Sequence, residues 1–382
     1  MSMTPFLNHS IQPENSASEY SEFQTLDFVA TCEGRRFLAN SFRISGNVRV
    51  LPDTSVPGTP VDSATQQIRI DGKVGAHGFI EAIQTSMQGV GGVVENLTGY
   101  GRYCGMVSDG TQSENDLFNS EMVCEMKAPF DAMVTDNLEG FETAQTGSTI
   151  NDPNSFSIKP LFVLNATSSA DGSGDLTMSY KKTGAIRIQV TLARNFASLF
   201  GKNVSGTTGY KLSDVRLEFI SVPETGSSNK TAHRVKYHIR QSILSESTNV
   251  SAKIPAVCNS MSCSFIKASD ENVAVANNYQ RQSLPDVTQL QFLFNNNTNE
   301  LVQYVINDRT EMLMRYLDSF GGRPHNSMTL KNLKGNKSYG LGLEFGEYVD
   351  LTNQTFNMQL TSGVSSASPF SAHLYFHSLT EI

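Results

Sequence analysis

The chain has 382 residues, 38 % of them hydrophobic and only 17 % charged, and its formal net charge is −8. That length exceeds one ordinary small β-domain, and low charge with abundant Ser, Thr, Asn and Gly suits a many-turned sheet protein, excluding a helical bundle or coiled coil. The acidic balance argues against a surface that grips nucleic acid, which needs clustered Lys and Arg.

Residues 1–34 carry no Lys or Arg but include Glu14, Glu19, Glu22, Asp27 and Glu33, so a basic genome-binding tail is excluded at this end. Trp is absent while Phe reaches 22, an aromatic content of the core-packing kind. The five cysteines, Cys32, Cys104, Cys124, Cys258 and Cys263, form no CxxC pair, which points to free thiols in a reducing compartment and away from zinc. No apolar h-region stands near the start and no apolar run is long enough to span a bilayer as a helix, so neither signal-led secretion nor a transmembrane helix is expected. N-x-S/T triplets, for example at Asn96, Asn165 and Asn353, follow from a composition rich in these residues and are not expected to carry glycans.

In chain order, residues 1–25 read as a polar, extended arm with Phe6, Leu7 and Ile11 as anchors onto a neighbour. Phe42, Ile44, Val48 and Val50 alternate with polar residues and predict a strand ending at Pro52, with Gly46 as a candidate bulge. A Pro/Gly/Ser/Thr loop covers 52–64, and Gln67–Ile70 reads as a short strand. His77–Gln88 is helix-like, Val93–Ser108 fits neither period cleanly, and 109–154 is turn-rich with one short helix expected near Leu117–Met126. Strand patterns return at Phe156–Leu164 and Leu176–Tyr180. The strongest signal is at mid-chain. Ile186, Ile188, Val190 and Leu192 alternate with Arg187, Gln189 and Thr191, a helical turn follows over Arg194–Phe200, and Val215, Leu217 and Phe219 restart the alternation.

A connector of small polar residues from Glu224 opens the second half. Strands are predicted at Arg234–Leu244, Val250–Val257, Ser262–Ile266 and Leu290–Phe294, with 267–285 irregular. Glu300–Phe320 reads as one long helix with Asn297 and Glu300 as a capping box and Gly321 as the stop. Its charged face, Asp308, Arg309, Glu311 and Arg315, reads as solvated with i,i+4 pairs. Strand alternation closes the chain at Leu341/Leu343/Phe345, Phe356/Met358/Leu360 and Leu374/Phe376. Eight short strands with their loops need roughly 150–200 residues. Half of 382 therefore fits one jelly roll, and the pattern predicts an all-β fold of two jelly-roll barrels in tandem with a few inserted helices. The expected division is an arm at 1–25, a first jelly roll at 26–223, a linker at 224–232 and a second jelly roll at 233–382.

The run IRIQVTLARNFASLFG with YKLSDVRLEF at mid-chain resembles the closing strands of the first barrel in double jelly-roll major capsid proteins. The C-terminal runs GLGLEFGEYVDLTNQTFNMQLTSG and PFSAHLYFHSL are similar to the last strands of their second barrel. These are the coat proteins of tailless icosahedral DNA viruses, and the size resembles the small phage-like, virophage or polinton-like members. The resemblance implies barrels standing perpendicular to a capsid surface and homotrimers of pseudo-hexagonal outline. It also implies contacts with neighbouring capsomers, penton and minor capsid proteins, and an internal membrane as a further partner. Synthesis in a host cytoplasm and residence in the virion follow.

No P-loop, GxSxG elbow or HExxH motif occurs, so no catalytic, cofactor-binding or metal residues are assigned and no enzyme activity is expected. Gly99-Tyr-Gly-Arg-Tyr-Cys-Gly105 reads as a turn, not a nucleotide loop. Asp171-Gly-Ser-Gly-Asp175 lacks the distal Glu of a calcium loop and reads as a turn as well. His373 and His377 share one strand face about 13 Å apart, too far for one metal, and read as surface or interface residues. Alternatives to a coat subunit are a two-domain β-sandwich attachment or glycan-binding protein, a minor vertex capsid protein, and a β-sandwich glycosidase, for which no carboxylate pair stands out.

Overall fold

The computed structural model describes residues 6–51, 70–111, 124–127, 155–169, 176–201, 209–224, 231–295, 297–304, 309–320 and 340–381. In chain order the strands of the first part are β1 (Leu7–Ile11), β2 (Glu19–Tyr20), β3 (Thr25–Ala30), β4 (Arg35–Leu38), β5 (Arg43–Leu51), β6 (Ile80–Met87), β7 (Gly92–Thr98), β8 (Ser155–Ile158), β9 (Thr167–Ser169), β10 (Thr177–Ser179), β11 (Ile186–Leu192) and β12 (Gly209–Pro223). The second part adds β13 (Thr231–Ile243), β14 (Ser247–Ala252), β15 (Val257–Lys267), β16 (Gln289–Phe294), β17 (Asn297–Tyr304), β18 (Leu341–Asp350), β19 (Phe356–Thr361) and β20 (Phe370–Glu381). Among the described residues four α-helices accompany them: α1 (Tyr100–Thr111), α2 (Tyr180–Thr183), α3 (Asn195–Ser198) and α4 (Arg309–Asp318).

These strands form four sheets. One runs β10-β4-β12-β5-β8, with β1 and β2 also paired to β12, and a second runs β3-β11-β6-β7. The third runs β18-β15-β20-β13-β9 and the fourth β14-β19-β16-β17. The architecture is a double jelly roll. Each barrel has its own phenylalanine cluster. Phe37 and Phe42 meet Phe219 at 5.6 and 5.4 Å in the first, and Phe356 meets Phe292 and Phe376 at 5.8 and 5.1 Å in the second. Each such ring contributes about 1.5–3 kcal/mol by burial, so the many Phe residues are what allow both barrels a core of their own. Residues 7–11 and 19–20, which the sequence sets in an arm, pair with β12. β9 crosses over to pair with β13, so the chain of the first part also completes a sheet of the second.

β11 keeps the alternation its sequence predicts, with Ile186, Ile188, Val190 and Leu192 each at most 1 % exposed. The bulge expected at Gly46 exists, but it lies in the partner strand. Asn47 pairs with Ser213 and Ser45 with Arg216, so Gly46 faces two residues, one of which, Asp214, takes φ 51°.

Three segments depart from expectation. His77–Gln88 is not helical: a 3-10 turn at Gly75–Phe79 leads into strand β6. Thr191 pairs with Ala82 but Leu192 pairs with Ile80, so β6 bulges at Glu81. The bulge places Ile80 and Ile83 both in the core, and that spacing of three imitates a helical period in a strand. Glu300–Phe320 is not one helix. Its first part is β17, hairpin-paired to β16 with Phe292 opposite Val302, and Asn297 and Glu300 lie in that strand, so no capping box forms. Asn295, at φ 53°, accepts the left-handed turn that makes the hairpin. Among the described residues of this span helix remains as α4, where Met312 and Tyr316 face inward and Arg315 pairs with Glu311 at 3.9 Å on the solvated side, as predicted. Third, Gly99–Gly105 is a helix start, not a turn: Gly99 takes φ 59° and α1 follows. The segments 52–64 and Asp171–Asp175 lie outside the described residues, as do most of Gln67–Ile70, most of Leu117–Met126, and Gly321.

Candidate functional site

The polar chemistry of the molecule concentrates where the barrels meet. β20 runs between β13 and β15, and its register sets three rows on one face: Lys236–His377–Ser260, His238–Tyr375–Ser262 and Arg240–His373–Ser264. Strand alternation would send this face to solvent. Instead β7, α1 and the 270–288 loop pack on it. His373 and His377 are 5 % and 1 % exposed, so the surface reading of these histidines is corrected to an intramolecular interface between the barrels.

Glu95 of β7 anchors the seam. Its Oε1 accepts from the Lys236 backbone N–H at 3.0 Å and from Lys236 Nζ at 3.1 Å, while its Oε2 accepts from the Val163 N–H at 2.7 Å. The two side chains are 1 % and 0 % exposed, and burial presses the Lys236 pKa down despite the carboxylate. Beside this pair runs a chain of neutral groups. Thr98 Oγ1 lies 2.7 Å from His238 Nδ1, and His238 Nε2 lies 3.1 Å from His373 Nδ1. With both rings neutral, one donor sense satisfies the chain: the Thr98 hydroxyl gives to His238, and His238 gives to His373. The remaining His373 N–H then faces Glu271 Oε1 at 3.7 Å. Burial is the main cause holding His238 near pKa 3, reinforced by His373 and Arg102, and His373 near 4, reinforced by Arg102 and opposed by Glu271. His377 has Ser260 Oγ at 2.8 Å, and burial brings its pKa to about 3.

Helix α1 reaches this face because its leading glycines have no side chain. A Cβ on Gly99 would stand 2.9 Å from both His238 Cε1 and the Tyr375 hydroxyl, and one on Gly101 would stand 2.7 Å from the Tyr279 ring. The Tyr375 hydroxyl donates to Gly99 O at 2.8 Å and Tyr279 to Gly78 O at 2.6 Å. Arg102 donates to Asn278 O, and Arg281 stands 3.5 Å from Asp71. The 270–288 loop, irregular as expected, is thereby pinned to the first barrel.

A second buried cluster brings together residue types of nucleophilic catalysis. His77 Nε2 is 3.1 Å from Glu125 Oε2, His77 Nδ1 is 2.8 Å from the Tyr100 hydroxyl, and Lys127 Nζ is 2.9 Å from the same carboxylate oxygen. Burial pulls the His77 pKa down, but Glu125 and Cys104 outweigh it and leave it at about 9. Burial alone would raise Glu125, but His77 and Lys127 hold it well below the carboxylate range. A protonated imidazole cannot act as a general base at neutral pH. Cys104, His77 and Glu125 are 1 %, 1 % and 3 % exposed, so the arrangement is a packed ion cluster. Among the described residues no group of three His, Cys, Asp or Glu side chains is arranged to hold a metal. The sequence reading missed this seam. The Ser-x-Ser-x-Ser of 260–264 beside His-x-Tyr-x-His of 373–377 was the signal: small and neutral residues on a face that something must cover.

Comparison with known proteins agrees with the fold. No family model matches the chain, and no curated protein matches it in sequence. Among solved structures, the Faustovirus major capsid protein superposes with a TM-score of 0.61 at 10 % identity, covering 100 % of this chain and 91 % of that one. The mavirus major capsid protein gives 0.53 at 8 % identity over 98 % and 88 %, and a chain of the Sputnik virophage 0.51 at 10 % over 99 % and 85 %. The fold is that of the viral double jelly-roll major capsid proteins, over the whole length of the chain.

Proposed function

We propose that this protein is the major coat subunit of an icosahedral DNA virus and works through shape and self-association, without enzymatic activity. The observation that carries this reading is the likeness in fold to a viral major capsid protein, over 100 % of this chain and 91 % of the Faustovirus protein. The locked seam supports it: a shell tile must hold its two barrels at one angle, and buried paired charges are intolerant of misalignment. In this reading the chain divides into an arm at 1–25, barrels at 26–223 and 233–382, and a linker at 224–232. It assembles as a homotrimer of pseudo-hexagonal outline, with neighbouring capsomers, penton and minor capsid proteins and an internal membrane as partners, and without sequence-specific nucleic-acid binding. It is made in the host cytoplasm and resides in the virion. Apolar burial between subunits drives assembly, and weak contacts between trimers are multiplied over the shell.

Light scattering of the purified protein tests this. Three copies of 41.8 kDa give about 125 kDa (3 × 41.8), and that mass with a six-sided outline in negative stain is the expected result. A stable monomer at all concentrations would overturn the reading, and a pentamer would move the protein to the vertex.

A further inference from the structure

The outer face of the fourth sheet carries a groove of about 280 Å³ lined by Ser247, Thr248, Asn249, Gln289, Gln291, Gln359, Leu360 and Thr361. Leu360 is 2 % exposed and belongs to the barrel core, so the polar groups presented by the groove's described side chains are hydroxyls and amides. Register places these groups in two rows across three strands, Ser247–Thr361–Gln289 and Asn249–Gln359–Gln291. Neighbours within a row stand about 4.8 Å apart on a rigid sheet. The side-chain amides of Asn249, Gln289, Gln291 and Gln359 make no hydrogen bond among the described residues, so their donors and acceptors are unspent.

We propose that this groove is a binding subsite for the hydroxyl groups of a neutral saccharide. An amide tip offers a donor and an acceptor side by side, which matches a sugar hydroxyl that both gives and receives. Among the described residues no Lys or Arg lines the groove, so sialylated, sulfated and phosphorylated ligands lack the cation they require. A protein partner lacks its usual anchors as well, because no aromatic residue or Arg is present among the groove's described residues to fill a partner's pocket. Strands hold the rows in place before the ligand arrives, so little ordering cost falls on binding. With no ring for the sugar to stack on, a single groove binds weakly, with Kd on the order of 1 mM. Useful attachment then comes from repetition over a shell. That last step rests on the coat-protein reading, whereas the chemistry of the groove does not.

Saturation-transfer NMR on the intact protein, with an array of neutral and sialylated oligosaccharides as probes, tests the site. Transfer to at least one neutral sugar is expected, falling about tenfold in the double variant Gln291→Ala/Gln359→Ala. The variant Gln189→Ala on the outer face of β11 should leave it unchanged. Absence of transfer to every neutral sugar, transfer indifferent to the double variant, or stronger transfer to sialylated probes would each overturn the proposal. So would a change in particle mass of the double variant, since the face would then be an interface between copies. Failure of the coat-protein reading shows separately, in the mass of the unmodified protein.

Discussion

β11 and β20 are both central strands with alternating sequences, yet they end in opposite environments. In β11 one face enters the core and the other, Arg187, Gln189 and Thr191, meets solvent or half-buried surroundings, with Arg187 paired to Asp27 at the surface. In β20 every residue from Phe370 to Ser378 is buried. Its second face carries His373, Tyr375 and His377, no more hydrophobic than that of β11, and the first barrel lies on it. What distinguishes the two faces is charge and size. The β20 face and its β15 neighbours are neutral or small and can be dehydrated once their hydrogen bonds are met, while the charge of Arg187 on β11 cannot be at comparable cost. The lesson is that a polar strand face of His, Ser and Tyr is compatible with burial.

Acid should break this contrast most strongly. His233, His238, His373 and His377 have ordinary pKa values of 6.5 but stand at about 4, 3, 4 and 3, chiefly through burial. The unfolded chain therefore binds protons below pH 6.5 that the folded chain refuses, and stability falls as pH drops from 6.5 toward 4. Counting the touching His238–His373 pair once, three groups lose about 6 kcal/mol by pH 5. His77 works in the other direction. Its pKa is raised to about 9, so its contribution is complete below 6.5 and is lost as pH rises through 9. Urea midpoints across pH should peak near 6.5 and drop steeply on the acid side; a flat acid limb would show that these histidines are hydrated.

Glu95→Ala comes next, because it strands a buried Lys236: a loss of about 3–5 kcal/mol is expected in urea unfolding, with Glu95→Leu/Lys236→Met milder than either single change. Gly101→Val should cost about 1–3 kcal/mol by driving a side chain into the Tyr279 ring, and should raise exchange of the β20 amides while leaving those of β11 protected. Smallest of all, Arg187→Ala should leave the melting midpoint where it was, since its ion pair with Asp27 is at the surface.

How far the sequence could carry this is visible in the same elements. β11, β12 and the closing strands were legible because each has one wet face and one dry, which is what a period of two reports. β6 misled because a bulge at Glu81 shifts the parity, and β17 because the hairpin with β16 overrides local helix-like spacing. The seam was hidden for a different reason. Alternation states that Lys236, His238 and His377 share a face, but only the second barrel's place against α1 says whether that face is wet. Gly99 and Gly101, read as turn formers, record the approach of that neighbour.

The central claim is that the polar face of β20 locks two barrels into one cooperative body. Differential scanning calorimetry at pH 7 tests it directly. One transition is expected, with calorimetric and van't Hoff enthalpies equal for the whole chain, dividing into two as the pH approaches 4.5. Two separate transitions at pH 7 would contradict it, since the barrels would then unfold independently of the seam.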